Sequence, residues 1–111
     1  MNSPLIIYID VDDTLIRTAG NKIIPMTATI QHLKLLSEEK VQLFCWSSGG
    51  ADYARKIAIE LGIEDLFVNF LPKPQILIDD QNVADWRYLR QITPWNLPVN
   101  GIADYQKMLF D

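Results

Sequence analysis

Leu5-Ile6-Ile7-Tyr8-Ile9 is a β-rich apolar run without alternation, the pattern of a strand covered on both faces within a parallel sheet. It stops abruptly at Asp10-Val11-Asp12-Asp13-Thr14. From Ile16 to Met26, Gly20 and Asn21 sit between short apolar pairs, which predicts a tight turn or small hairpin. Ile30, Leu33 and Leu36 then recur at helical spacing between Thr27 and about Glu39, with Thr27 as the expected N-cap. Val41 to Trp46 reads as a second buried strand, stopped by Ser47-Ser48-Gly49-Gly50. Tyr53, Ile57 and Leu61 fall four apart, and Gly62 stands at the C-cap of the helix they define. Leu66 to Phe70 forms the next expected strand, and Ile76-Leu77-Ile78 a fourth that runs straight into Asp79 and Asp80. The tail predicts a helix over Val83 to about Ile92, a short edge strand over Leu97 to Val99 limited by Pro98, and a closing helix over Ala103 to Phe110.

Alternating strands and helices with apolar strands imply a doubly wound α/β sheet, a three-layer α/β/α Rossmann-like fold with a central parallel sheet. In such sheets ligands bind beyond the carboxyl ends of the strands, where this chain places its polar clusters. With 111 residues, 49% of them apolar, the expected organisation is one domain over 1–111. A formal net charge of -4 gives no general electrostatic case for nucleic-acid binding. The single Cys45 cannot form an internal disulfide, which points to a reducing compartment, with the cytoplasm as the expectation. No apolar run approaches the ~20 residues that cross a bilayer, so no membrane association is expected.

Asp10, Asp12 and Asp13 repel one another if they share a site, and their place after a buried strand calls for a compensating cation or for exposure to solvent. Mg²⁺ is such a cation. Residues i and i+2 of an extended segment lie on one side, so Asp10 and Asp12 can address one ligand while Val11 points into packing. One carboxylate can then act as nucleophile or metal ligand and the other as acid and base. Asp79 and Asp80 add a second carboxylate cluster suited to a hard cation, and Asp85 either joins it through water or starts a helix. Ser47, with Ser48 and the backbone N–H groups that follow, is suited either to holding a phosphate at a helix N-terminus or to capping that helix. Lys73, restrained between Pro72 and Pro74, can neutralise both a phosphoryl group and a carboxylate.

In order, these elements are an apolar strand and Asp10-Val11-Asp12-Asp13-Thr14-Leu15, then Ser47, Lys73 and Asp79-Asp80. They resemble the haloacid dehalogenase superfamily of phosphotransferases over residues 5 to 85. The resemblance implies that Asp10 is a nucleophile forming an aspartyl-phosphate, and that Asp12 protonates the leaving alkoxide and then activates water. It implies Mg²⁺ held by Asp10, the backbone carbonyl of Asp12 and one of the acidic pair, Asp80 before Asp79. Ser47 and Lys73 would hold the phosphoryl oxygens, with Thr14 and Ser48 in the same phosphate-binding set. The carboxylate at position 12 favours hydrolysis of phosphate monoesters, in which the leaving group needs a proton.

Neither the stretch 16–26 nor Leu71 to Gln75 is long enough for a cap domain, so a capless catalytic core is expected, with Arg17 to Ile24 as its only flap. Specificity then falls to that flap, to the C-terminal segment with Trp86 and Trp95, to a partner subunit of a homo-oligomer, or to the bulk of a phosphorylated and even macromolecular substrate. Both tryptophans read more readily as core than as substrate platforms, and His32 as a surface or packing residue rather than a catalytic one. The competing expectation is a catalytically silent module that keeps the fold and binds Mg²⁺ or phosphate for regulation or assembly. A calcium-binding loop fails, because Leu15 stands where its turn needs Gly and Asn21 where it needs Glu.

Overall fold

In the computed structural model, which describes residues 3–110, the chain runs β1 (Leu5–Asp10), β2 (Ile16–Ala19), β3 (Lys22–Pro25), α1 (Thr27–Ser37), β4 (Val41–Ser47), α2 (Ala51–Glu60), β5 (Phe67–Pro72) and α3 (Ile102–Phe110). β4 lies between β1 and β5 and pairs in parallel with both, while β2 and β3 form a separate antiparallel hairpin. This is an α/β domain with a three-stranded parallel sheet and three α-helices. Each parallel neighbour is reached through a helix, as a parallel connection requires. No helix among the described residues is long and apolar enough to cross a membrane.

The pleat decides what is buried. Ile9 of β1, Leu43 and Cys45 of β4, and Phe67 and Phe70 of β5 are buried in one core with Ile30, Leu33 and Leu36 of α1 and Ala54, Ile57 and Ala58 of α2. Alternate residues point the other way, and there Ile6 is 61% exposed, Tyr8 46% and Val68 58%. The structure therefore corrects the expectation of a strand covered on both faces, because β1 is open on the side of Ile6 and Tyr8. α3 reaches α1, where His32 Nε2 and the Tyr105 hydroxyl share a hydrogen bond of 2.8 Å.

Four further expectations fail, three of them for identifiable reasons. Ile76-Leu77-Ile78 is not a strand, and Ile76 and Ile78 are 82% and 95% exposed. Only Lys73, Pro74 and Gln75 separate it from β5, whereas a crossover to a parallel neighbour takes about a dozen residues or more. The helix over 83–92 shrinks to a 3-10 turn at Val83–Asp85. Val83, Tyr88 and Leu89 remain exposed, and a short helix with no core to pack on is marginal in water. Leu97 to Val99 pairs with no strand: Pro98 lacks the N–H that a ladder needs, and Val99 is 87% exposed. Thr27 is the first helical residue rather than the cap, which falls on Met26 with no side-chain hydrogen bond.

The hairpin is as expected, with Gly20 at φ +62°, a conformation that glycine adopts without strain. It is anchored by Leu15 and Ile16, both fully buried, and burying each such side chain contributes about 1.5–3 kcal/mol.

His32 is a packing residue, 8% exposed, and burial holds its imidazole below its ordinary pKa. The neutral ring is the form that fits. A group with a depressed folded-state pKa contributes stability that is present above its unfolded value of 6.5 and is lost as pH falls through the folded value. The melting temperature of the wild type should therefore drop between pH 7.5 and pH 5 by more than that of His32→Gln; parallel curves would contradict this.

Candidate functional site

The end of β1 is fixed by a knot of backbone hydrogen bonds. The N–H groups of Thr14, Leu15 and Ile16 all donate to the carbonyl of Val11, at 3.2, 2.8 and 3.3 Å, and Asp13 N–H donates to the Ile16 carbonyl at 2.7 Å. Asp13 takes a left-handed φ of +63° to close this turn, a conformation that aspartate tolerates better than most residues. Val11 is fully buried, so the turn is pinned from below.

Asp10 is held from two sides. Lys73 Nζ lies 2.8 Å from Asp10 Oδ1, and the Thr14 hydroxyl donates to Oδ2 at 3.0 Å. Lys73 arrives there because β5 ends beside β4, and its backbone N–H donates to the Ser47 carbonyl at 2.9 Å. The ion pair is about one-third exposed, so solvent screens it, and its significance lies in placement more than in stability. A cation set against a carboxylate at a strand end can offset the repulsion that this carboxylate would meet from a phosphate.

Asp12 has a partner that the sequence did not single out. The Tyr53 hydroxyl, from the first turn of α2, donates to Asp12 Oδ1 at 2.7 Å. The hydrogen bond to Asp12 comes first among the causes that push the Tyr53 phenol up to about 12, followed by burial and nearby carboxylate charge. Tyr53 reads in the sequence only as an apolar helix position, and the one signal of its second role is the glycine beneath it. A Cβ on Gly49 would stand 2.9 Å from Tyr53 Cδ2, closer than real contacts allow.

Gly49→Ala should accordingly displace the Tyr53 ring and break its bond to Asp12. Tyr105, pushed to about 12 by burial, titrates in the same range as Tyr53. Spectrophotometric titration should therefore show one of two high tyrosine transitions moving back toward 10 in Gly49→Ala; an unchanged curve would refute the packing argument.

Ser47 is 1% exposed, and its Oγ accepts the Gly49 N–H at 3.0 Å, so its hydroxyl serves the turn that opens α2. Ser48 is exposed on the same turn. Cys45, buried on β4, has its thiol pushed up to about 12 by burial and then by the Asp10 charge, which leaves it an inert packing group at neutral pH.

Asp79 and Asp80 are exposed, and Asp79 Oδ1 accepts the Gln81 N–H at 2.8 Å in a local turn. They are not gathered with Asp10 and Asp12: among the described residues no group of three His, Cys, Asp or Glu side chains is placed to hold a metal ion. Asp85 lies in its 3-10 turn, Trp86 is half-buried, and Trp95 is 75% exposed rather than core. The structure thus brings together Asp10, Thr14 and Lys73, and places Asp12 with Tyr53. Comparison with protein-family models, with curated proteins and with solved structures found no match.

Proposed function

We propose that the chain is a phosphomonoester hydrolase, resembling the haloacid dehalogenase superfamily, with Asp10 as nucleophile and Asp12 as general acid and base. The observation that carries this reading is Lys73 Nζ at 2.8 Å from Asp10 Oδ1 at the carboxyl end of a parallel strand. Thr14 holds the second carboxylate oxygen, so the Asp10 side chain is oriented before any substrate arrives.

In the first step an Asp10 oxygen attacks phosphorus, the ester P–O bond breaks, and protonated Asp12 gives its proton to the departing alkoxide. In the second step the Asp12 carboxylate takes a proton from water, the resulting hydroxide attacks the phosphorus of the aspartyl-phosphate, and the bond from phosphorus to Asp10 breaks to release phosphate. Lys73 faces the phosphoryl oxygens while retaining its contact with Asp10, and Tyr53 sets the direction of the Asp12 carboxylate.

The donor set suits Mg²⁺. The Asp10 carboxylate keeps lone pairs beyond its hydrogen bond from Thr14, and with the backbone carbonyl of Asp12 it would offer hard oxygen ligands; Mg²⁺ commonly takes one or two carboxylates and completes its shell with water and phosphate. Bound there, the ion supplies positive charge that offsets the repulsion between carboxylate and phosphate dianion. Residues Asp79 and Asp80 would join only after a movement of their segment. In Mg²⁺ the purified protein should release phosphate from at least one member of a phosphomonoester panel, lose that activity in EDTA and regain it on adding Mg²⁺. No release from any ester would overturn the proposal.

The second reading is a catalytically silent module that binds phosphate or Mg²⁺. One observation favours it: Lys73 already neutralises Asp10, and among the described residues no group of three ligating side chains gathers there. Binding of inorganic phosphate without any turnover would select it.

A further inference from the structure

We infer that the groove beside Asp10 binds the organic part of the substrate through a planar aromatic ring, so that the ester is an aromatic-bearing organic phosphate of the nucleoside monophosphate kind. The inference rests on the hydrolase reading for the phosphoryl end and on separate observations for the ring. Trp46 is the direct register partner of Asp10 across β1 and β4, which places their backbones about 4.8 Å apart. Tyr8 precedes Asp10 by two positions on the same face, roughly 6.6 Å along the strand. The two rings meet edge to face, with centroids 4.9 Å apart and planes at 87°. Lys73 ties them to the reactive end, its Nζ lying 5.9 Å from the Trp46 ring centre and 2.8 Å from Asp10.

These residues line a groove of about 1060 Å³ that contains Asp10, Thr14 and Lys73 and runs along β1 past Tyr8 and Trp46 to Trp86. Its volume suits a small organic ligand, for which sites of roughly 300–1,000 Å³ are usual. Its charge suits an anion. In a chain of net charge -4, Asp10 is the only acidic residue on the groove wall among the described residues and is already paired with Lys73. Arg90 also lines it, donating to the backbone carbonyls of Arg87 and Leu89, and no carboxylate of the described residues lies within ion-pair distance of it. Aromatic rings beside cations, here the exposed Tyr8 and the half-buried Trp46 beside Lys73, are what holds a nucleobase-like ring without reading its edges. A lipid chain would need no cation along the wall, and an aliphatic sugar phosphate would leave Tyr8 and Trp46 uncovered.

The test compares adenosine 5′-monophosphate with ribose 5-phosphate, both esters of a primary ribose 5-hydroxyl, which differ in the base. Wild-type kcat/KM should favour the nucleotide by about 10-fold, the loss expected for one base–aromatic stack, with the difference carried by KM. In Trp46→Leu and in Tyr8→Leu, each checked for native circular dichroism, that ratio should fall toward one. A ratio of one in the wild type, or a preference that survives both substitutions, overturns the inference while leaving the hydrolase reading standing. If neither compound is turned over, the hydrolase reading fails for this pair and titration calorimetry decides the ring: tighter binding of the nucleotide supports the inference, and equal or absent binding overturns it. A groove closed by a second copy of the chain would appear as a dimer in sedimentation that binds neither compound, and that result also overturns it.

Discussion

Asp10→Asn should lose at least on the order of 10³-fold in kcat/KM on every phosphomonoester that the wild type hydrolyses, as expected when a nucleophile is removed rather than a binding contact. The amide keeps the shape of the carboxylate and can still accept from Thr14, so the fold around the turn of residues 11–16 has no reason to change. What disappears is the negative charge facing Lys73 at 2.8 Å. Because that pair is about one-third exposed, the lysine left behind can turn to solvent, and the melting temperature should move little. A large loss of turnover with an unchanged melting curve is therefore the signature of chemistry at Asp10. Turnover that survives in Asp10→Asn would remove the nucleophile from the mechanism. Turnover lost together with the fold would return Asp10 to a structural role.

Much of the arrangement around Asp10 was legible from short-range pattern. The apolar run into Asp10, the hairpin at Gly20 and the helix carrying Ile30, Leu33 and Leu36 each follow from periodicity and turn chemistry, and each is present. The approach of Lys73 to Asp10 follows from topology, because parallel strands bring their carboxyl ends together. The failures are failures of connection length and of partner. Ile76-Leu77-Ile78 has strand composition, yet Pro74 and Gln75 cannot carry the chain back to the other end of the sheet. The short stretch after β5 already carries this, and with it that Asp79 and Asp80 need not reach Asp10. The exposed face of Ile6 and Tyr8 was unreadable for a different reason: an apolar residue facing a ligand groove and one facing a helix look alike in sequence. Tyr53 was hidden in the same way, its ring fitting an apolar helix stripe while its hydroxyl reaches Asp12.

Asp12→Asn should produce a loss that depends on the leaving group, and this separates general acid catalysis from positioning. A proton delivered to the departing oxygen matters most when that oxygen is a poor leaving group, and such delivery typically contributes about 10²–10⁴-fold. Alkyl phosphates should therefore lose on the order of 10³-fold, whereas an ester with an activated aryl leaving group should lose far less in its first step. Tyr53→Phe should show the same ordering at smaller size, because it leaves the ring over Gly49 and removes only the hydroxyl that holds Asp12 Oδ1 at 2.7 Å. Leaving groups that all suffer equally in Asp12→Asn would assign Asp12 to binding or to the shape of the turn. A Tyr53→Phe variant that matches the wild type in leaving-group dependence would leave the bond between Tyr53 and Asp12 as packing alone.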